Sequence, residues 1–71
     1  MEITYKIIEK CAVLSAKNKW NLELNRVQWG ENAPKLDIRT WNEDHTKCGK
    51  GITLTDEEAK VLIAALQEKI K

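Results

Sequence analysis

KLDIRTWNEDHTKCGKGITL, residues 35–54, is the stretch whose reading decides the fold. It reads as two strands joined by a polar turn: 35–41, then NEDHTK at 42–47, then a short strand at 49–54. Side chains alternate along a strand, so Leu36, Ile38 and Thr40 share one face while Lys35, Asp37, Arg39 and Trp41 share the other. The second face carries two cations, one anion and a large ring, and has little reason to be buried. Cationic groups beside a base-sized ring suit a flexible polyanion with flat bases. The plainer reading is a solvated face whose tryptophan caps the edge of a core. In the last strand Ile52 and Leu54 point inward and Thr53 outward.

Upstream, WNLELNRVQW at 20–29 reads as another strand. Trp20, Leu22 and Leu24 share a parity and face the core. Val27 and Trp29 have the opposite parity, and a bulge at Asn25 and Arg26 would reconcile the two sets. GENAP at 30–34 is a turn. Residues 3–14 are rich in β-branched and apolar types, including Ile3, Tyr5 and Val13, and predict the first strand. Its alternation is imperfect, because Ile7 and Ile8 are adjacent, as are Val13 and Leu14. Either both faces are partly covered or a bulge shifts the register. SAKNK at 15–19 reads as a turn.

Downstream, Thr55 and Glu58 have capping-box spacing and open a helix over 56–70. Asp56 and Glu57 at its start, with Lys69 and Lys71 at its end, complement the helix dipole. Ala59, Leu62, Ile63, Leu66 and Ile70 form one apolar stripe, which Val61, Ala64 and Ala65 widen. That is more than one small sheet should cover, so the pattern predicts packing against a second copy of the helix.

A chain of 71 residues is one domain at most. A core this small is marginal, and without disulfides or metal the extra buried area is expected from oligomerisation. Cys11 and Cys48 form no CxxC pair and read as thiols of a reduced, cytoplasmic protein. Charged residues interrupt every apolar run near the N-terminus, which argues against a secretory signal, and no stretch is long enough to span a bilayer. Twelve basic and eleven acidic residues leave a net charge of +1, so any polyanion site must come from local arrangement. His45, the one histidine, reads as a surface turn residue lacking the orienting partner and pocket of a general base. His45 and Cys48 make a poor zinc signature. Gly49-Lys50-Gly51 lacks the earlier glycine and the following Ser or Thr of a phosphate loop. The expectation is no enzyme, no cofactor, no metal and no small-molecule substrate.

The order and spacing of these motifs carry a resemblance. Trp29, Pro34-Lys35, Asp37-Ile38-Arg39, Trp41, Asp44-His45 and the run GKGITLT at 49–55 resemble the C-terminal domain of the transcriptional coactivator positive cofactor four. The likeness is closer to the small bacterial YdbC-like branch, over roughly residues 20–66. Cys48 departs from that branch, where a larger apolar residue is usual. The resemblance implies an α+β fold: a curved four-stranded antiparallel sheet followed by one C-terminal helix, paired into a homodimer through the helix and sheet edges. Read so, residues 1–71 are one domain with strands at about 3–14, 20–29, 35–41 and 49–54. The resemblance further implies binding of single-stranded DNA. By position, Trp29 and Trp41 look like base-stacking aromatics, and Lys35, Arg39 and Lys50 like backbone or base contacts. Arg26 is grouped with them, and Asp37 is expected to order Arg39. The reading is a module for single-stranded or melted DNA with little sequence preference, nucleoid-associated in a bacterium, with RNA as the alternative polyanion. The competing reading is a protein-interaction dimer that regulates transcription with weak nucleic-acid contact.

Overall fold

A mismatch in strand length shapes the molecule. The computed structural model describes residues 4–70 and contains four strands and one helix: β1 (Tyr5–Lys17), β2 (Trp20–Trp29), β3 (Lys35–Trp41), β4 (Cys48–Leu54) and α1 (Asp56–Lys69). The strands form one antiparallel sheet in chain order. This is the expected ββββα architecture. Ile3 and Lys71, expected in the first strand and at the helix end, lie outside the described residues.

The 13 residues of β1 run along the 10 of β2. Ile7 lies opposite Val27, Lys10 opposite Asn25, Val13 opposite Glu23 and Ala16 opposite Asn21. Thus β1 advances three residues for every two of β2, with register shifts that leave Ile8, Cys11 and Leu14 as the extra residues. Each such bulge bends its strand and increases its twist. This explains the failed alternation in the first strand. It also corrects two expectations: β1 continues to Lys17, leaving only Asn18 and Lys19 to turn the chain, and β2 runs past Asn25 and Arg26 with no register shift against β3.

The accumulated bending curls the sheet. Trp41 lies opposite Asn21, at the far end of β2 from Trp29. Eight residues of flat strand span roughly 26 Å, yet the rings of Trp29 and Trp41 lie 6.5 Å apart, nearly parallel at 13°. Aromatics from both ends of the curl therefore meet across its concavity. Trp41 itself is buried, as are Val27, Asn25 and Asp37 on the same face, each at most 1% exposed. The face expected to be open is the inner one, because a sheet this curved covers its own concave side. Its charges are tolerated there because they are paired.

The convex face carries Leu24, Leu36, Ile38 and Leu54, and α1 crosses it. Thr55 caps the helix: its hydroxyl accepts the Glu58 N–H at 3.1 Å, and Glu58 accepts the Thr55 N–H at 2.8 Å. No helix residue is fully buried. The stripe partly covers the sheet but stays open, with Ile63 55% and Leu66 46% exposed. Leu22 and Leu24 lie half-buried on this side, and Trp20, expected in the core, is exposed.

Candidate nucleic-acid interface

Strand pairing builds the concave face in rows. Glu23 of β2, Arg39 of β3 and Gly51 of β4 form one row; Asn25, Asp37 and Thr53 form the next. Arg39 Nε donates to Asp37 Oδ1 at 2.6 Å, and the Thr53 hydroxyl donates to Asp37 Oδ2 at 3.0 Å. Asp37 thus does order Arg39. Burial works against the Arg39 charge, but the hydrogen bond and the charge of Asp37 prevail and hold its pKa above the ordinary guanidinium value. The guanidinium lies 4.6 Å from the Trp29 ring centroid, within cation–π range.

Two glycines make room for this arrangement. A Cβ on Gly51 would collide with the Arg39 side chain and the Ile38 carbonyl, and one on Gly49 would meet the Thr40 hydroxyl. Between the pairs Arg39–Gly51 and Trp41–Cys48, β4 gains a residue on β3, so Gly49 and Lys50 share the place opposite Thr40. Lys50 projects from this bulge and is exposed, as is Lys35 at the start of β3.

The 42–47 turn closes one end. Asn42 Oδ1 accepts the Lys47 N–H at 2.9 Å, and the Asn42 amide donates to Thr46 Oγ1 at 3.0 Å. The Thr46 hydroxyl donates to Asp44 at 2.7 Å, and this bond with a further backbone one holds the Asp44 carboxyl below its usual range. The turn places His45 at φ 59°, in the left-handed region, and aims its ring inward. The His45 carbonyl accepts the Tyr5 hydroxyl. Its Nε2 lies 2.9 Å and 3.1 Å from the two oxygens of Glu23, and the Asn25 amide donates to Glu23 at 3.0 Å. Burial pushes the Glu23 pKa up, but the hydrogen bonds from Asn25 and His45, with the His45 charge, outweigh it and leave the carboxyl below its ordinary value. His45 is therefore an anchored member of the site, not a surface residue of the turn.

The expected site residues separate accordingly. Trp29, half-buried, and Arg39 stand at the centre of the concave face, with Lys35 and Lys50 at its margin. Trp41 offers no open ring face: it is 0% exposed and packed by Tyr5 at 5.3 Å, His45 at 5.6 Å and Trp29. Arg26 is not with them. It points to the opposite face and pairs with Asp56 at the helix start, 3.5 Å away. Cys11 and Cys48 are exposed free thiols. Among the described residues no group of three His, Cys, Asp or Glu side chains is placed to hold a metal ion, and no helix is long and apolar enough to cross a membrane.

Tyr5, Glu23, Asn25 and His45 were missed in the sequence. The parity of Glu23 and Asn25 with Trp29 was a usable signal. Tyr5 had none, because its place opposite Trp29 depends on the three-for-two register.

Comparison with known proteins agrees with this geometry. A family model described as Transcriptional Coactivator p15 (PC4) matches residues 16–65 of the chain. An uncharacterised protein of Treponema pallidum (strain Nichols) is 41% identical over 59 residues, covering 82% of this chain and 69% of that protein.

Proposed function

The chain belongs to the transcriptional coactivator p15 (PC4) family, one of nucleic-acid-binding proteins, and from that premise we propose that it holds single-stranded or locally melted DNA across the mouth of its curled sheet. The observation that carries the reading is the Arg39 guanidinium, fixed by Asp37 and laid over Trp29. Bases stack on Trp29 and on the outer surface of that guanidinium. Trp41 acts from behind, holding Trp29 in place rather than receiving a base itself. Lys35 and Lys50 take phosphates at the margin. A flat platform accepts any base, whereas duplex bases are already stacked on one another and cannot reach it.

The functional unit in this reading is a homodimer. Ile63 and Leu66 are exposed at an apolar groove of about 250 Å³ between helix and sheet, and Ile52 on β4 and Val61 and Ile70 at the helix are exposed beyond it. A small domain seldom leaves such a surface to water, and a second copy of the same face is apolar in the same places.

The test is a titration of unstructured single-stranded DNA, with a matched duplex and a matched RNA, against the protein and its Trp29→Ala and Arg39→Ala variants. Loss of one stacking partner costs about 1–3 kcal/mol, so each variant weakens single-strand binding about tenfold or more. The salt slope stays shallow, near −0.7 for each phosphate neutralised. Unchanged affinity in both folded variants would leave a protein-interaction dimer as the better reading, and tighter RNA binding would change the partner.

A further inference from the structure

Tyr5 stands where the three-for-two register of β1 puts it. A ladder without shifts, started from Lys17 opposite Trp20, would bring Ile8 opposite Trp29; the extra residues of β1 bring Tyr5 there instead. Tyr5 lies ahead of residues 16–65, the span that matches the family. Its half-buried ring packs on Trp29 at 5.6 Å and on Trp41 at 5.3 Å, tilted from them by 50° and 53°. Both distances fall in the favourable range for aromatic pairs. Its hydroxyl donates to the backbone carbonyl of His45, whose ring is held in turn by Glu23 and Trp41. The two tryptophans have no such tether: Nε1 of each is buried without a hydrogen-bond partner among the described residues. Trp29 also ends its strand, and Gly30 turns the chain away beyond it at φ 58°. Of these three rings, Tyr5 alone is fixed by a hydrogen bond, and it touches both of the others.

We propose that Tyr5 is a positioning residue of the single-strand site: tied to the 42–47 turn through its hydroxyl, it holds the Trp29 ring in the orientation on which a base stacks. The inference rests on the single-strand reading and adds to it a residue that acts through Trp29. The acceptor belongs to the backbone of the turn, so the tether joins the start of β1 to an element that Glu23 anchors separately. An indole oriented by packing alone, at the end of a strand, samples other rotamers once the ring that supports it loosens. Ordering it again on binding costs affinity, about threefold to tenfold for one such side chain. Tyr5→Phe keeps the ring and removes the tether, which separates the positioning role from the packing one.

The experiment is a double-mutant cycle with oligo(dT), a single strand that does not pair with itself, as the probe. Wild-type protein, Tyr5→Phe, Trp29→Ala and the double variant are titrated as folded full-length chains. Tyr5→Phe weakens binding about threefold to tenfold when Trp29 is present and by less than about twofold when it is absent, because the hydroxyl acts through that ring. A merely structural loss would recur in both backgrounds, and that result overturns the proposal. So does binding by Tyr5→Phe within about twofold of wild type, which leaves the single-strand reading intact. Should the variant fail to fold, relaxation of the indole N–H groups in free wild-type protein, followed by NMR, still decides. The Trp29 indole should be as ordered as that of buried Trp41 and more ordered than that of exposed Trp20. A Trp29 indole as mobile as that of Trp20 overturns the proposal. No binding of oligo(dT) to the wild-type protein removes the single-strand reading and this inference together.

Discussion

The two faces of the sheet invert the usual relation between polarity and burial. The concave face holds Glu23, Asn25, Asp37 and Arg39 among its aromatics and is the closed one. The convex face holds Leu36, Ile38, Leu54 and the apolar stripe of α1 and is the open one. The polar face is closed because Glu23, Asp37 and Arg39 each have a partner within hydrogen-bond distance, so the curl costs little in desolvation. The apolar face is open because a single short helix cannot cover it. The lesson is that hydrophobicity alone would assign these faces backwards: curvature decides which is inside, and the proposed dimer would cover the other.

Removing the keystone of the closed face breaks this comparison most severely. Trp41→Ala takes a 0% exposed ring out of the cluster that joins the two ends of the curl. Truncations of this kind cost about 3–5 kcal/mol, enough to unfold a chain of this size. Urea denaturation followed by far-UV circular dichroism is the check, and a loss under about 1 kcal/mol would mean the curl does not depend on the ring. On the open face the expected damage is to assembly. Ile63→Asp puts a charge into the groove that a second copy is proposed to fill. Losing a central interface anchor costs about 2 kcal/mol or more, so light scattering should show the dimer giving way to folded monomer. Retention of the dimer would place the interface elsewhere.

The elements themselves were legible in the sequence, because each had local signals. Thr55 and Glu58 announced the helix start, Pro34 the start of a strand, and strict alternation the 35–41 strand. The Asp37–Arg39 pair followed from parity. What could not be read was curvature, since bulges spaced every three residues along β1 look like broken alternation until a partner strand is laid beside them. Missing the curl put Trp41 on an open face and left Tyr5, His45 and Glu23 unconnected, though they converge from positions up to 40 residues apart. Arg26 was misplaced for a related reason. Grouping by charge ignored that it alternates away from Trp29.

A smaller effect separates the faces by pH. The folded Glu23 carboxyl lies below its ordinary value of 4.5. Its contribution is therefore fully present above the unfolded pKa and is lost as pH falls through the depressed folded value. Wild-type stability should drop across that acid window, as the pair with His45 is broken. Glu23→Gln, which loses about 1 kcal/mol at neutral pH along with one charged acceptor, should show a shallower acid limb. Parallel limbs for the two proteins would show that the closed face does not depend on this carboxylate's charge.

The mildest test lies at the border of the open face. Thr55→Ala removes the hydroxyl that accepts the Glu58 N–H, and with it half of the capping box. Loss of an N-cap costs about 1 kcal/mol. The cap touches nothing on the concave side, so the whole loss should appear in the helix and in the dimer proposed to form through it. Hydrogen exchange would speed up over the first turn of α1 while the β2 and β3 amides beneath the aromatic cluster kept their rates relative to global unfolding. If the β2 and β3 amides loosened as much as the helix did, the faces would be one cooperative unit, and the contrast between a self-closed inner face and an assembly-dependent outer one would be geometric without being energetic.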